Sequence, residues 1–324
     1  MFLLLLFVTA LTLVDVSAIP LQLHELGLKD TQTQRCGAAN GGFSCLTSGA
    51  LNTCCSQYGW CGDTSDHCGT GCQCAYGRCG DRAPTPPGEA PHSRLGSVPY
   101  GVGIYTCSIP GVIALTYDDG PYAWTSQLLD TLDSYGVKAT FFITANNLEK
   151  GSLDDPNLPW AALLQRMYAS GHQIASHTMD HLDLDVLSES DRQLQMTRFE
   201  TVMKGILGRY PTYMRPPYSS CSSTCLATLN FLGYHCIFWD LNTDDYNNAT
   251  PSLIQKSKDI VSIAISGADR RYRGFISIAH DIHYQTVFNL TLHEITAGLN
   301  AGFRFVTLGE CLNDPPSNWY RTEL

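Results

Sequence analysis

From about Pro99 onward the chain alternates short apolar runs with amphipathic stretches. VIALTY (112–117), ATFFIT (139–144), QIAS (173–176), HCIFWDL (235–241), GFISIAH (274–280) and FRFVTL (303–308) are rich in β-branched and aromatic residues. Apolar runs of this length predict strands buried in a sheet. Between them, residues 126–135, 158–169, 188–207 and 251–264 carry the pattern of amphipathic helices. Ser188 with Asp191 three positions later predicts a capping-box start for the third. Strand–helix alternation over about 220 residues predicts an α/β domain built on a parallel sheet, closed into a barrel or left open. In either arrangement functional groups gather at the strand C-termini.

The pattern is different ahead of that domain. MFLLLLFVTALTLVDVSA (1–18) is a short apolar run ending in small residues, which predicts a secretory signal cleaved after Ala18, although no Lys or Arg precedes the run. It is too short for a comfortable membrane span, no later stretch is long and apolar enough, and no apolar tail predicts a lipid anchor. Residues 19–35 form a short polar segment. Residues 36–79 are dense in Cys and Gly with almost no aliphatic side chains, so disulfides must replace a core there. GDRAPTPPGEAPHSRLGSV (80–98) reads as a semi-rigid linker to a domain at 99–324.

Composition narrows the function. The formal charge of −10 on 324 residues argues against a nucleic-acid partner, which needs clustered Lys and Arg, and leaves a neutral polysaccharide open. Fourteen cysteines, nine of them between Cys36 and Cys79, fit an oxidising compartment. The expectation is a secreted monomer, extracellular or associated with a cell wall. The sequons at Asn248 and Asn289 are then candidate glycosylation acceptors.

Candidate chemistry sits at the strand ends. TYDDGP places Asp118 and Asp119 side by side, where each raises the cost of ionising the other; taken alone, such a pair is usually a turn former. SHTMDH holds His177 and His181 four apart, a spacing that on one helical turn aims both imidazoles the same way and suits a divalent metal. With an aspartate from a neighbouring strand end they would make a His-His-carboxylate set with open positions for water and substrate. Arg215 in MRPPY precedes two prolines that hold the backbone extended, which would fix it to keep a nearby carboxylate ionised. Asp244, Asp245 and Tyr246 follow HCIFWDL, and His280, Asp281 and His283 follow GFISIA. There is no G-x-S-x-G elbow to suggest a serine esterase.

TYDDGP, SHTMDH, RPPY, WDLNTDDY and SIAHD occur in the order and approximate spacing of the NodB-like polysaccharide deacetylases, and residues 107–312 resemble that family, fungal chitin deacetylases in particular. The resemblance implies a distorted (β/α) barrel that removes N-acetyl groups from a sugar polymer with one bound divalent metal ion, Zn2+ first, with Co2+ or Mn2+ as alternatives. It implies Asp118 as catalytic base, Asp119, His177 and His181 as metal ligands, and Arg215 as the residue holding the base. It further implies the Tyr218 backbone N–H as oxyanion donor, and His280 as general acid tuned by Asp245. Tyr246 and Ile278 would line the acetyl pocket. Ser219, Asn242 and Tyr246 depart from the family's frequent Gly, Asp and Trp, which bears on the groove wall more than on the chemistry. Disulfides Cys107–Cys311 and Cys221–Cys225 are implied as well, leaving Cys236 as a buried free thiol.

CGAANGGFSC…CCSQYGWCGDTSDHCGTGC is similar to hevein-type chitin-binding domains over 36–79. That resemblance implies the pairs Cys36–Cys55, Cys45–Cys61, Cys54–Cys68 and Cys72–Cys79, with Cys74 left over. It implies sugar contacts from Ser56, Tyr58 and Trp60, with His67 where a Tyr is usual. N-acetylglucosamine offers an apolar ring face and an acetamide, which aromatic rings and a hydroxyl can meet. The expected partners are chitin and chito-oligosaccharides. The rival readings are a catalytically silent chitin coat, and a deacetylase of peptidoglycan or acetylated xylan.

Overall fold

The computed structural model describes residues 35–40, 45, 54–62, 67, 71–73, 76 and 92–323. The chain divides into two units, 1–84 and 85–324. The signal segment, residues 19–34 and residues 80–91 lie outside the described residues.

In the first unit, strands β1 (Cys54–Cys55) and β2 (Cys61–Gly62) pair antiparallel. Cys36–Cys55 and Cys45–Cys61 are disulfides, and Cys36, Cys45 and Cys55 are buried against one another where an aliphatic core would otherwise be. Cys54 and Cys72 are also disulfide-bonded. Cys68, Cys74 and Cys79, and with them the expected pairs Cys54–Cys68 and Cys72–Cys79, lie outside the described residues.

The second unit is built on strands β3 (Gly103–Ile104), β4 (Val112–Asp118), β5 (Thr140–Ile143), β6 (Gln173–Ser176), β7 (Tyr210–Pro211), β8 (Tyr213–Met214), β9 (His235–Ile237), β10 (Leu241–Asn242), β11 (Phe275–His280), β12 (Arg304–Val306) and β13 (Tyr320–Arg321). Among the described residues, nine of them form one all-parallel sheet in the order β10-β11-β4-β5-β6-β8-β9-β3, with β12 alongside the start of β4. β7 and β13 pair separately.

The connection from β9 to β10 shows that this sheet is curled. Only residues 238–240 join the two strands, a span of at most ~14 Å. In the sheet order, six inter-strand steps separate them, which would be ~29 Å in a flat sheet. The segment bonds both sides: Phe238 N–H donates to the Ile104 carbonyl, and Asp240 N–H donates to the Ile276 carbonyl. The sheet therefore bends round into a distorted barrel.

Along β4 every residue is buried, and the faces alternate. Ile113, Leu115 and Tyr117 pack outward with Leu128, Leu129 and Leu132 of helix α1 (Thr125–Ser134) and with Leu164 and Met167 of α2 (Trp160–Ala169). Val112 and Ala114 point the other way, into the barrel with Phe142, Tyr213, Ile237 and Ile276. Period-two alternation thus carries Thr116 and Asp118 to the barrel interior. Helices α3 (Glu189–Leu207), α4 (Ser223–Phe231), α5 (Ile254–Ser266) and α6 (Thr291–Asn300) follow, with the short α7 (Leu308–Cys311) near the end.

Three expectations are corrected. Ser188 caps α3 by accepting from Asp191 N–H, but the Asp191 side chain takes a hydrogen bond from the Ser188 hydroxyl instead of reaching back to its N–H. The reciprocal capping box is at Thr307 and Glu310, where the side chain is one methylene longer. Residues 92–98, expected in the linker, pack on the barrel. Val98 is buried in the interior cluster, Arg94 donates to Asn230 at 2.7 Å, and Arg321 donates to the Ser93 carbonyl at 2.9 Å. The Asn248 sequon is buried, its Nδ2 donating to the Asp244 carbonyl at 3.0 Å and to Ser257 Oγ at 3.2 Å, so a glycan there has no room. Asn289 is partly exposed and donates to Gln285.

Cys107–Cys311 and Cys221–Cys225 are disulfides, and Cys236 is a buried free thiol whose pKa burial pushes up to about 12. No helix among the described residues is long and apolar enough to cross a membrane.

Candidate active site

The strand C-termini converge on an open cavity of about 370 Å³. Its walls include Asp118, Asp119, His177, His181, Arg215, Tyr218, Trp239, Tyr246, Ile278, His280 and His283. β4 supplies the two aspartates. Asp118 continues the strand's inward alternation, whereas Asp119 has a left-handed backbone (φ 75°), so its side chain leaves in another direction.

Asp118 meets Arg215. Arg215 Nη1 donates to Asp118 Oδ1 and to Thr116 Oγ1, both at 2.7 Å, and Nη2 donates to the Phe238 carbonyl at 3.0 Å. The guanidinium lies 4.1 Å from the Phe142 ring centre. Both members of the pair are buried, at 1% and 2% side-chain exposure. Burial pulls the Arg215 pKa down and Asp118 opposes it. Removing one partner of such a pair leaves an uncompensated buried charge.

Asp119 meets the two histidines. His181 Nε2 is 3.1 Å and His177 Nε2 3.5 Å from Asp119 Oδ1. They do not share a helical turn. Both lie in the loop after β6, bent by positive φ at Thr178 (73°) and His181 (54°). The outer nitrogens are spoken for: His177 Nδ1 donates to the Arg215 carbonyl at 2.7 Å, and His181 Nδ1 shares a hydrogen bond with the Tyr218 hydroxyl at 3.2 Å. A carbonyl can only accept, so His177 carries its proton on Nδ1 and turns a lone pair inward. Burial lowers the His177 pKa, against the pull of Asp118 and Asp119. Burial opposes ionisation of Asp119, but the His181 and His177 rings outweigh it and hold its carboxyl well below the usual carboxylate range.

This donor set fits a divalent cation. Three ligand atoms lie within 4.8 Å of one another, and Asp119 Oδ1 is buried with no aligned hydrogen-bond donor. Two imidazoles and a carboxylate, with outer nitrogens oriented by a carbonyl and a hydroxyl, are what a catalytic zinc site uses.

On the adjacent strand, β11 runs in register with β4, placing His280 beside Asp118. His280 Nδ1 donates to Asp245 Oδ1 at 2.8 Å, while Asp245 Oδ2 accepts from the His280 N–H and the Thr286 hydroxyl, each at 2.7 Å. Burial works against protonating His280, but Asp245 and then the two β4 aspartates push it up to about 9. Burial raises Asp245, and His280 more than reverses this, so Asp245 stays ionised. Tyr246 sets its ring edge-on to His280 at 5.6 Å, Ile278 lies buried in the wall, and Tyr218 stands exposed in a left-handed backbone (φ 57°).

Other wall and support residues have no role that the sequence alone assigns, even where they lie inside a quoted motif. Trp239 lines the cavity, Thr116 braces Arg215, and Thr286 braces Asp245. Lys150, from a polar loop, is buried and donates to the carbonyls of Asp119 (3.1 Å) and Gly120 (3.0 Å). Burial pulls its pKa down, and the charges of Asp281 and Asp119 oppose this. In the first unit Tyr58 and Trp60 are exposed, with Arg35 over one Trp60 face at 3.7 Å. Ser56 is buried and its Oγ accepts from Trp60 N–H at 3.1 Å. The His67 ring packs over Gly62, where a Cβ would come within 2.6 Å of it.

Residues 106–237 match the polysaccharide deacetylase family and residues 35–79 match chitin recognition proteins. A chitin deacetylase of Colletotrichum lindemuthianum is 44% identical over 227 residues, covering 69% of this chain and 88% of that protein. One from Pestalotiopsis sp. is 43% identical over 229 residues, covering 71% and 73%. The solved structure of the chitin deacetylase from the fungal pathogen Colletotrichum lindemuthianum is similar at a TM-score of 0.67 and 42% identity, covering 70% of this chain and 98% of that one. Curled parallel sheet, strand-end chemistry and sequence kinship agree: this chain belongs to the polysaccharide deacetylase family and carries a chitin-recognition region ahead of its catalytic domain.

Proposed function

We propose that the chain is a secreted, metal-dependent hydrolase that removes the N-acetyl groups of chitin, releasing acetate and leaving chitosan. The observation that carries this reading is the meeting of two sets at one cavity: a buried Arg215–Asp118 pair beside Asp119, His177 and His181, and an Asp245–His280 pair alongside. The chitin-recognition region favours chitin over peptidoglycan or acetylated xylan. The complete acid–base and ligand set argues against a silent coat. Asn289 remains the candidate glycan acceptor.

Asp119, His177 and His181 would hold a divalent cation, zinc by the character of the donors, which when bound would polarise the acetamide carbonyl. Asp118, held in place by Arg215, takes the proton of the attacking water. The Tyr218 N–H faces the oxygen that gains charge, a role for which a fixed backbone donor is suited. His280, protonated through Asp245, gives its Nε2 proton to the departing amine, because an amide anion is a poor leaving group. Tyr246 and Ile278 enclose the acetyl methyl.

Asp118→Asn should abolish acetate release from chito-oligosaccharides while metal content stays near one per chain. Asp119→Ala should lose both metal and activity, and chelation of the unmodified protein should do the same. If Asp118→Asn strips the metal and Asp119→Ala keeps it, the roles are reversed and this mechanism fails.

A further inference from the structure

We propose that Trp124, Tyr284 and Phe288 form a stacking platform for N-acetylglucosamine units of the polymer beyond the one in the cavity; this rests on chitin being the substrate. The three rings pack on one another: Trp124 meets Tyr284 edge-on at 5.3 Å and Phe288 at 5.9 Å, and Tyr284 lies 4.4 Å from Phe288 at 32°. Tyr284 is 49% and Phe288 40% exposed. Single exposed aromatics are ordinary, but a contiguous cluster marks a surface that meets something. Phe288 has no polar group that would account for its exposure.

Position and charge choose the occupant. Trp124 sits five residues past Asp119, and Tyr284 follows His283, which lines the cavity. Both segments leave the C-terminal ends of the paired strands β4 and β11, so the platform continues from the rim of the catalytic cavity. The two segments that build it, PYAWTSQ (121–127) and YQTVFNLTL (284–292), contain no charged residue. A nucleic acid or acidic peptide would call for cations there, whereas a neutral sugar polymer needs only ring faces and amides. Gln285 and Asn289, joined by a hydrogen bond at 2.7 Å, keep the same turn polar without adding charge. Tyr284 and Phe288 are four apart and therefore share one face.

The test is acetate release from chito-oligosaccharides of two to six units by metal-loaded protein with Tyr284→Ala, Phe288→Ala or Tyr284→Trp, each first matched to the unmodified protein in thermal midpoint. Loss of a ring should raise KM for the hexamer by about 3- to 10-fold with kcat unchanged, since a stacked ring contributes on that order. KM for the dimer should stay the same, and Tyr284→Trp should restore the hexamer value. Unchanged hexamer KM in both Ala variants overturns the platform, as does an equal loss on dimer and hexamer. The competing occupant of the rings is a glycan attached at Asn289. In that case Tyr284→Ala would shift the thermal midpoint only of glycosylated protein and leave every KM alone, which also overturns it. If the unmodified protein releases no acetate from any oligomer, it is the chitin reading that has failed, a separate outcome.

Discussion

Asp245 is the residue through which the acid side of the site can be tuned without touching either the base or the metal ligands. His280 is pushed up to about 9, and after the opposing effect of burial the charge and hydrogen bond of Asp245 are its largest causes. Asp245→Asn keeps the volume and one acceptor but deletes the charge. With burial still acting against the imidazolium, His280 should fall from about 9 at least toward the ordinary 6.5, a loss of about 3 kcal/mol in preference for the protonated ring. At pH 8 the protonated fraction then drops from about nine in ten to about three in a hundred, so kcat should fall roughly 30-fold there and far less at pH 6. The sign follows from the role: an acid with a raised pKa keeps working until pH passes that pKa, so the variant loses its alkaline limb first. A bound cation offsets part of the Asp119 charge and moves both proteins' limbs down together, which leaves the difference between them as the quantity to read. The assay is kcat for acetate release from pH 5 to 10 in both proteins, with the His280 ring followed by NMR. An alkaline limb at the same pH in both would refute the assignment of His280 as an acid tuned by Asp245.

Three further outcomes are expected. Burial pushes Glu294, which accepts from Ser277 Oγ at 2.5 Å, up to about 8 from 4.5. The folded chain then holds a proton that the unfolded chain releases, and its contribution, full below pH 4.5, is lost as pH rises to about 8. Glu294→Gln should gain about 3 kcal/mol on the unmodified protein between pH 4 and pH 7 in urea titrations, and a flat difference would count against it. The Cys107–Cys311 bond closes a separation of 204 residues, so replacing both by Ser should cost up to about 5 kcal/mol on the loop-closure model and lower the urea midpoint; equal midpoints would oppose this. Deleting residues 19–91, which spares the packed 92–98 segment, should weaken pull-down on solid chitin while soluble-oligomer turnover persists, because a tethered second site acts through effective concentration. Equal loss of both with the barrel folded would show a single composite site.

What was legible in the sequence was what repeats or has fixed chemistry. Buried parallel strands announce themselves as apolar runs, and Gln173–Ser176 was placed to the residue. The run HCIFWDL broke into β9 and β10 because the chain changes neighbours at residues 238–240, a tertiary event invisible to periodicity. α4 and α6 went unread. In α4, the core residues Cys225, Thr228 and Leu229 mix polar with apolar, and α6 buries Thr291, Glu294 and Gly298 beside a single large aliphatic, Ile295. Lys150 reads as an ordinary loop lysine, and only the fold brings it to the Asp119 carbonyl. The four-residue spacing of His177 and His181 pointed to two rings that do meet at Asp119, but not on a helical turn: a loop with two left-handed residues brings them together.

Two aspartates can stand side by side at the end of β4 because the strand stops being a strand between them. Up to Asp118 the alternation holds, so Thr116 and Asp118 face the barrel interior, where one guanidinium reaches both. At Asp119 the backbone turns left-handed, and the carboxylate is aimed at His177 and His181 instead of following the alternation. Each carboxylate thereby faces its own partners, Asp118 a guanidinium and Asp119 two imidazoles, and the two need not share one site. Lys150 Nζ bonds the carbonyls of Asp119 and Gly120, the peptide units at that bend. The Asp281 carboxylate lies against Gly120, where any Cβ would collide with it at 2.2 Å. The bend that separates the two carboxylates is thus fixed by the Lys150 side chain on its carbonyls and a glycine under a carboxylate, which is why DDG and not merely DD is the unit this geometry needs.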